Sequence, residues 1–219
     1  MTAVLLAYLS HQPLDSNRGF PALAPQENDT LFDPNISGSM IDLKSVKLIF
    51  CGTNVGTAVV IDERTLLTAN HVTEGNLACI DDVTGKVGTV SLRDSNNDIS
   101  TIVFTPKTFP KEHQLKISCK GFNKNEVYYA VGWERGTDLV VNRLKATGSF
   151  RTLGTTENSE FEHVSVLIGR MVKGMSGGPV VDQDGKMVGM NTATDNIATA
   201  FSKAMRDTVF CHSASRSEK

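Results

Sequence analysis

The chain has 219 residues, 40% hydrophobic and 21% charged, with 22 Lys and Arg against 24 Asp and Glu and a formal net charge of −2. That is globular composition, sufficient for one domain or two small ones sharing a long cleft. Balanced charge without a basic run argues against a nucleic-acid partner. The glycine content and the many Val, Thr and Ile residues favour β-structure with frequent turns.

In chain order, the first apolar stretch is Ala3-Val4-Leu5-Leu6-Ala7-Tyr8-Leu9. It is too short to span a bilayer. It also lacks a preceding Lys or Arg, and a cleavage site at Ala22-x-Ala24 would be followed by Pro25, so as a secretory signal it is weak. No other segment reads as membrane-spanning. From His11 to about Gly38 the chain is rich in Pro, Asn, Asp and Ser, and residues 1–42 read as an arm, loosely ordered or strapped on the domain.

From Leu43 the pattern becomes one of short strands: Val46–Phe50, Gly56–Ile61 and Thr65–Thr68, with Asp62-Glu63-Arg64 as a hairpin-type turn. Further strands are expected at Val87–Leu92, Ser100–Phe104, Gln114–Ser118, Glu126–Val131, Asp138–Ala146, Val164–Ile168, Val180–Val181 and Met187–Asn191. Short strands at this spacing, with no helical period between them, predict an antiparallel sandwich or a pair of barrels. The end differs: Ser202 is placed to cap a helix from Lys203 to about Cys211, with Ala204, Met205, Val209 and Phe210 on one face. Residues 213–219 form a polar tail.

Cys51, Cys79, Cys119 and Cys211 are scattered, with no CxxC or Cys/His cluster, so no metal site is expected. Four buried thiols are the plainer reading, and two disulfides are the alternative for a secreted chain.

The chemistry concentrates in three segments. "KGMSGGP" sets Ser176 among glycines ahead of the apolar Val180-Val181. A serine hydroxyl is a weak nucleophile until a base takes its proton and a third group orients that base. "LLTANHV" offers His71 after a strand and a one-turn break, and "NNDIS" offers Asp98 before the β-favouring Ile99–Phe104. Asp94, Asp81 and Asp82 are the competing carboxylates, but only Asp98 directly precedes an apolar strand able to bury it. Taken singly, each residue is a common turn or strand-end feature; together, in this order, they form a set.

These segments resemble the signatures of the chymotrypsin-like (trypsin-fold) serine proteases, whose order is His, Asp, Ser. "GTAVVIDERTLLTANHV", "VYYAVGWERG" and "GKMVGMNTAT" extend the likeness from about Val46 to Phe210, closest in style to compact HtrA-like or viral members. The resemblance implies an all-β fold of two six-stranded antiparallel β-barrels with a short C-terminal helix. The protease domain would span 43–212, with barrels at about 43–120 and 121–200 and the helix at about 202–211. It also implies a serine endopeptidase needing no cofactor: Ser176 attacks, His71 is general base, Asp98 orients it, and the N–H groups of Gly174 and Ser176 form the oxyanion hole. The pocket for the residue before the cut would lie between Ile168–Met175 and two later walls, Asn191-Thr192-Ala193 and Ala198-Thr199-Ala200. Small residues there suit medium aliphatic side chains. Arg170 either reaches the pocket, favouring an acidic residue, or is a solvated loop arginine. The backbone of Asn191–Ala193 would pair with an extended polypeptide substrate.

Two departures stand out. Met175 occupies the position where zymogen-type members carry an activating aspartate, and Val72 stands where secreted animal members have the histidine-loop cysteine. No PDZ-like module is expected after Phe210. Secreted or periplasmic and viral origins stay open, as does the oligomeric state. The alternatives are a trypsin-fold protein kept for binding or assembly with an idle triad, and an unrelated esterase; the latter is disfavoured because its nucleophile would lead into a helix, with the histidine last.

Overall fold

A computed structural model describes residues 41–154, 160–195 and 197–212. The expected arm, apart from its last two residues, and the tail at 213–219 lie outside the described residues. Twelve strands form two closed antiparallel barrels. The first contains β1 (Val46–Cys51), β2 (Asn54–Val60), β3 (Thr65–Thr68), β4 (Ala78–Asp81), β5 (Val87–Asp94) and β6 (Ile99–Val103), ordered β1-β2-β3-β6-β5-β4. The second contains β7 (Val127–Glu134), β8 (Asp138–Gly154), β9 (Glu160–Ile168), β10 (Pro179–Val181), β11 (Met187–Thr194) and β12 (Thr199–Ala204). Read around the ring from β7, its order is β7-β8-β9-β12-β11-β10, so both barrels follow one path. Closure leaves neither sheet with an unpaired edge strand.

Burial explains the strand patterns. β5 alternates exposed and covered residues because its outer face meets water. β1 is covered on almost every residue because it packs against β7 at the seam between the barrels. Ile49, Val59, Leu66, Leu67, Ile102 and Phe104 fill the first barrel, with Phe104 edge-on to Phe109 at 5.1 Å. Tyr128, Leu144, Leu167, Met171, Met175 and Val180 fill the second. Met187, Met190 and Met205 of the second half pack into the first barrel's cluster. Flexible thioethers suit such an irregular seam.

Three expectations are corrected. Gln114–Ser118 is not a strand. It is the connection between barrels, and its backbone pairs first with Val60 (Leu115 N–H to Val60 O, 2.9 Å) and then with Met187 (Ser118 N–H to Met187 O, 2.8 Å), so no single ladder claims it. The helix does not begin at Lys203. Ser202 and Lys203 continue β12, opposite Asn191 and Met190 on one side and Ser165 and Val164 on the other, because pairing on both edges outweighs a local capping signal. The chain then makes a 3₁₀ turn at Met205–Asp207, and only Val209–His212, α2, is α-helical. Finally, the cysteines are not thiols: Cys51 bonds Cys79, and Cys119 bonds Cys211.

The second bridge ties the inter-barrel connection to α2 across a sequence separation of 92. A long closed loop restricts the unfolded chain strongly, typically by about 2–5 kcal/mol. The double variant Cys119→Ser/Cys211→Ser is therefore expected to unfold at markedly lower denaturant. An unchanged midpoint in equilibrium unfolding would show that the bridge contributes nothing.

Candidate active site

His71 sits on α1 (Asn70–Thr73), a single turn directly after β3. No side chain of its own segment caps this turn; Asp98 does so from the first residue before β6. The Asp98 carbonyl accepts from Asn70 N–H at 3.1 Å and one carboxylate oxygen accepts from His71 N–H at 3.0 Å. The same carboxylate lies 2.9 and 3.0 Å from His71 Nδ1. Asp98 is fully buried and has a left-handed φ of 53°, which aspartate tolerates better than most residues. Asp94 shapes this turn by accepting from Asn97 N–H and Nδ2, at 3.1 and 2.7 Å. The Asp81 carboxylate accepts from Thr84 Oγ1 at 2.6 Å, and Asp82 is tied by its backbone N–H to Leu48 O of β1, so in the contacts of the described residues only Asp98 places its carboxylate on the His71 ring.

Burial disfavours a charged His71 imidazole, but the Asp98 hydrogen bond and charge, with a further pull from Glu74, outweigh this and raise its pKa above 6.5. A raised folded pKa means that the protonated pair stabilises the fold. That contribution is complete below the unfolded pKa and is lost as pH rises through the folded value.

The nucleophile turn belongs to the second barrel but is gripped by the first. Thr57 of β2 donates its N–H to Ser176 O at 2.8 Å and its Oγ1 hydrogen to Gly174 O at 2.8 Å. Thr57 Oγ1 in turn accepts from Trp133 N–H at 2.9 Å, and Thr57 O accepts from Thr68 Oγ1 at 2.7 Å. Gly177 has φ of 83°, and a Cβ there would lie 2.2 Å from Thr68 Oγ1 and 2.3 Å from Thr57 O, so only glycine fits the crossing. Gly174 has φ of 97°, with Trp133 O where a Cβ would stand.

Around Ser176 the neighbouring amides are engaged: Met175 N–H on Val172 O, Gly177 N–H on Asn191 O, and Gly178 N–H on Met175 O. Among the described residues, the N–H groups of Gly174 and Ser176 have no acceptor. Lys173 O is held by Arg135 N–H at 2.8 Å. In a trans peptide the N–H points opposite the C=O, so this bond turns Gly174 N–H away from Arg135. Two unpaired donors flanking Met175 are the arrangement that can receive a developing oxyanion. Among the described residues, the contact of Ser176 Oγ is a long one, 3.4 Å, to Thr192 O.

The expected substrate-binding residues divide. Arg170 is half-exposed and ion-paired with Glu134 at 2.6 Å. Ala193 is half-buried and Ala198 exposed, whereas Asn191 and Ala200 are fully buried. Asn191 Nδ2 donates to Val131 O at 3.2 Å beneath the turn. Both Asn191 backbone groups are taken, its N–H by Gly178 O and its C=O by Gly177 N–H, so Asn191 cannot pair with a substrate strand as the sequence suggested. β10 pairs with β11 only as far as Met190, and a bulge at Thr192 breaks the ladder to β12. Among the described residues, Thr192–Ala193 therefore lies past the end of the pairing with β10.

Two residues escaped the sequence reading. Thr57 looks like an ordinary strand threonine in "NVGTAVV". Asp195 looks like an ordinary turn former, yet its carboxylate accepts from Ile197, Ala198 and Thr199 N–H at 2.9, 3.0 and 2.9 Å. Those bonds, led by Thr199, lower its pKa to about 2 and hold the β11–β12 loop. Among the described residues no group of three or more His, Cys, Asp or Glu could hold a metal ion, and no helix is long and apolar enough to cross a membrane.

Residues 56–190 match the family model described as the trypsin-like peptidase domain. Among solved structures, the active form of the Rv3671c protease from M. tuberculosis is 19% identical with a TM-score of 0.65, covering 93% of this chain and 90% of that one. The HtrA-type protease AlgW with tripeptide is 19% identical with a TM-score of 0.65, covering 80% and 61%. The serine endoprotease from Yersinia pestis is 17% identical with a TM-score of 0.54, covering 74% and 58%. No curated protein matches the chain in sequence. At these identities the structural likenesses speak to the fold.

Thr57→Val keeps the shape but strands Trp133 N–H and frees Gly174 O. It is expected to destabilise by about 1–3 kcal/mol, with Thr57→Ser close to wild type. Equal unfolding midpoints for all three proteins would contradict the clamp. In an NMR titration the His71 ring should titrate above 6.5, and lower in Asp98→Asn; coincident curves would remove Asp98 as the cause.

Proposed function

The chain belongs to the trypsin-like peptidase family and is a serine endopeptidase, and we propose that it cuts through an acyl-enzyme formed on Ser176. In this reading His71 takes the Ser176 proton and later returns it to the leaving amine. Asp98 holds Nδ1–H, so that Nε2 is the basic nitrogen, and stabilises the imidazolium. The tetrahedral oxyanion is received by Gly174 and Ser176 N–H. The observation that carries the proposal is the combination of these two amides, unengaged among the described residues, with the contact of buried Asp98 on His71, supplied by opposite barrels.

The substrate is read as an extended polypeptide added alongside Thr192–Ala193, past the end of the β10–β11 ladder. A relative of this fold, AlgW, has been solved with a tripeptide and with a decapeptide. The Arg170–Glu134 pair compensates the arginine charge, which favours the aliphatic over the acidic reading of the pocket. Two disulfides point to an extracytoplasmic or otherwise oxidising location.

A digest of a peptide library by wild type and by Ser176→Ala tests the mechanism and specificity together. Wild type should cut after medium aliphatic residues, and Ser176→Ala should not cut. Asp98→Asn should retain binding but lose about 10⁴ in turnover, the loss seen in trypsin-type enzymes. Near-wild-type turnover in Asp98→Asn would reject its role, and cutting by Ser176→Ala would reject the nucleophile.

A further inference from the structure

The β7–β8 turn lies against the segment that leads into Ser176. It runs Glu134-Arg135-Gly136-Thr137, with Thr137 N–H on Glu134 O at 2.9 Å. Both central residues have positive φ, 51° at Arg135 and 77° at Gly136, which makes this a type I′ turn. Asparagine followed by glycine is the favoured pair for that geometry. An arginine gains nothing from a left-handed backbone, so its place here points to a use for the side chain.

The turn meets the candidate oxyanion hole directly. Arg135 N–H holds Lys173 O at 2.8 Å, and a Cβ on Gly174 would come 2.7 Å from Arg135 N and 3.2 Å from its Cα. Gly136 lies over Val55 of the first barrel, where its Cβ would stand 3.1 Å from Val55 Cγ1. The turn therefore bridges from Gly174 to β2. Thr192 instead approaches the nucleophile segment at Ser176 Oγ.

Lys173 immediately precedes Gly174, and the side chains of Lys173 and Arg135 are exposed. Among the described residues, neither side chain has a hydrogen bond or an ion pair. Two carboxylates belong to this turn without pairing with them. Glu134 is held by Arg170 at 2.6 Å, and Asp138 accepts from Thr137 Oγ1 at 2.9 Å. Glu74, one residue past α1, exerts its charge on His71. Two unpaired cations thus flank the amide of Gly174.

We propose that Arg135 and Lys173 select an acidic side chain just after the cut, at the first or second residue of the leaving segment. This rests on the reading of Gly174 N–H as an oxyanion donor, which fixes the scissile carbonyl beside Lys173. With the acyl side laid along Thr192–Ala193, the leaving segment departs past the β7–β8 turn. A carboxylate there exchanges water for a guanidinium and an ammonium.

The test is a peptide library randomised on both sides, digested by the full chain, with the products sequenced. Asp and Glu should exceed Asn and Gln in the two residues after the cut by about tenfold at low salt, and by less at high salt. Arg135→Lys should keep this preference, and Arg135→Asn/Lys173→Gln should lose it. The ratio is read within each protein, so a change in overall turnover cancels. Arg135→Asn creates the favoured Asn-Gly turn and should melt no lower than its parent, so selectivity lost there is not misfolding. No acidic preference in wild type, or the same preference in the double variant, would overturn the inference. Failure of the nucleophile reading shows separately, as cutting that survives Ser176→Ala or is absent from wild type. If wild type does not cut, anisotropy on Ser176→Ala decides, using two fluorescein-labelled peptides that differ only in Glu or Gln at two positions after a leucine. Tighter binding of the Glu peptide, abolished by Arg135→Asn/Lys173→Gln, supports the inference, and equal binding of the two peptides overturns it.

Discussion

The site depends on the grip of Thr57 on the turn around Ser176. One buried residue of the first barrel uses its N–H, its hydroxyl and its carbonyl to fix Ser176 O, Gly174 O, Trp133 N–H and Thr68 Oγ1. The constraint matters because the candidate triad is divided: His71 and Asp98 come from the first barrel, and Ser176 comes from the second. Geometry between the barrels is therefore the geometry of the site. Packing supports the same seam through Met187, Met190 and Met205, which fill it, while polar bonds set its register.

The same turn is complete without an ion pair. Met175 is fully buried, and Asn142 Nδ2 approaches its sulfur at 3.6 Å. A thioether in a hydrophobic pocket holds the backbone between the two unpaired amides, where a zymogen-type aspartate would need a partner charge. The missing histidine-loop cysteine at Val72 is likewise compensated. Cys51 closes onto Cys79 and encloses the segment bearing His71 by a different partner. Around His71, catalysis and stability pull in opposite directions: the protonated imidazole strengthens its contact with Asp98, whereas a general base must be neutral.

Much of this was legible in sequence where the signal is local. The strands β1, β2, β3 and β6 read correctly because each is a short apolar run bounded by turn residues, and the Ser176 turn is spelled out by its glycines. His71 and Asp98 could be named because each flanks such a strand, although only the structure brings Asp98, and not Asp94, Asp81 or Asp82, onto the imidazole. What failed was non-local. Gln114–Ser118 has strand-like residues but divides its backbone bonds between the barrels. Lys203 sits after a good capping serine, yet two neighbouring strands claim it. Cysteine spacing carries no information on which thiols meet when Cys119 and Cys211 stand at opposite ends of the second half. Thr57 and Asp195 were invisible because hydrogen-bond partners far away, or backbone amides of a loop, define what they do.

The central claim is that Ser176 is the nucleophile, activated by a histidine and an aspartate from the other barrel. Labelling with a fluorophosphonate, located by peptide mapping, tests it most directly. The account predicts stoichiometric modification at Ser176, lost in Ser176→Ala and strongly slowed in His71→Ala. Folded protein that resists the reagent, or a label on any other serine, would contradict it.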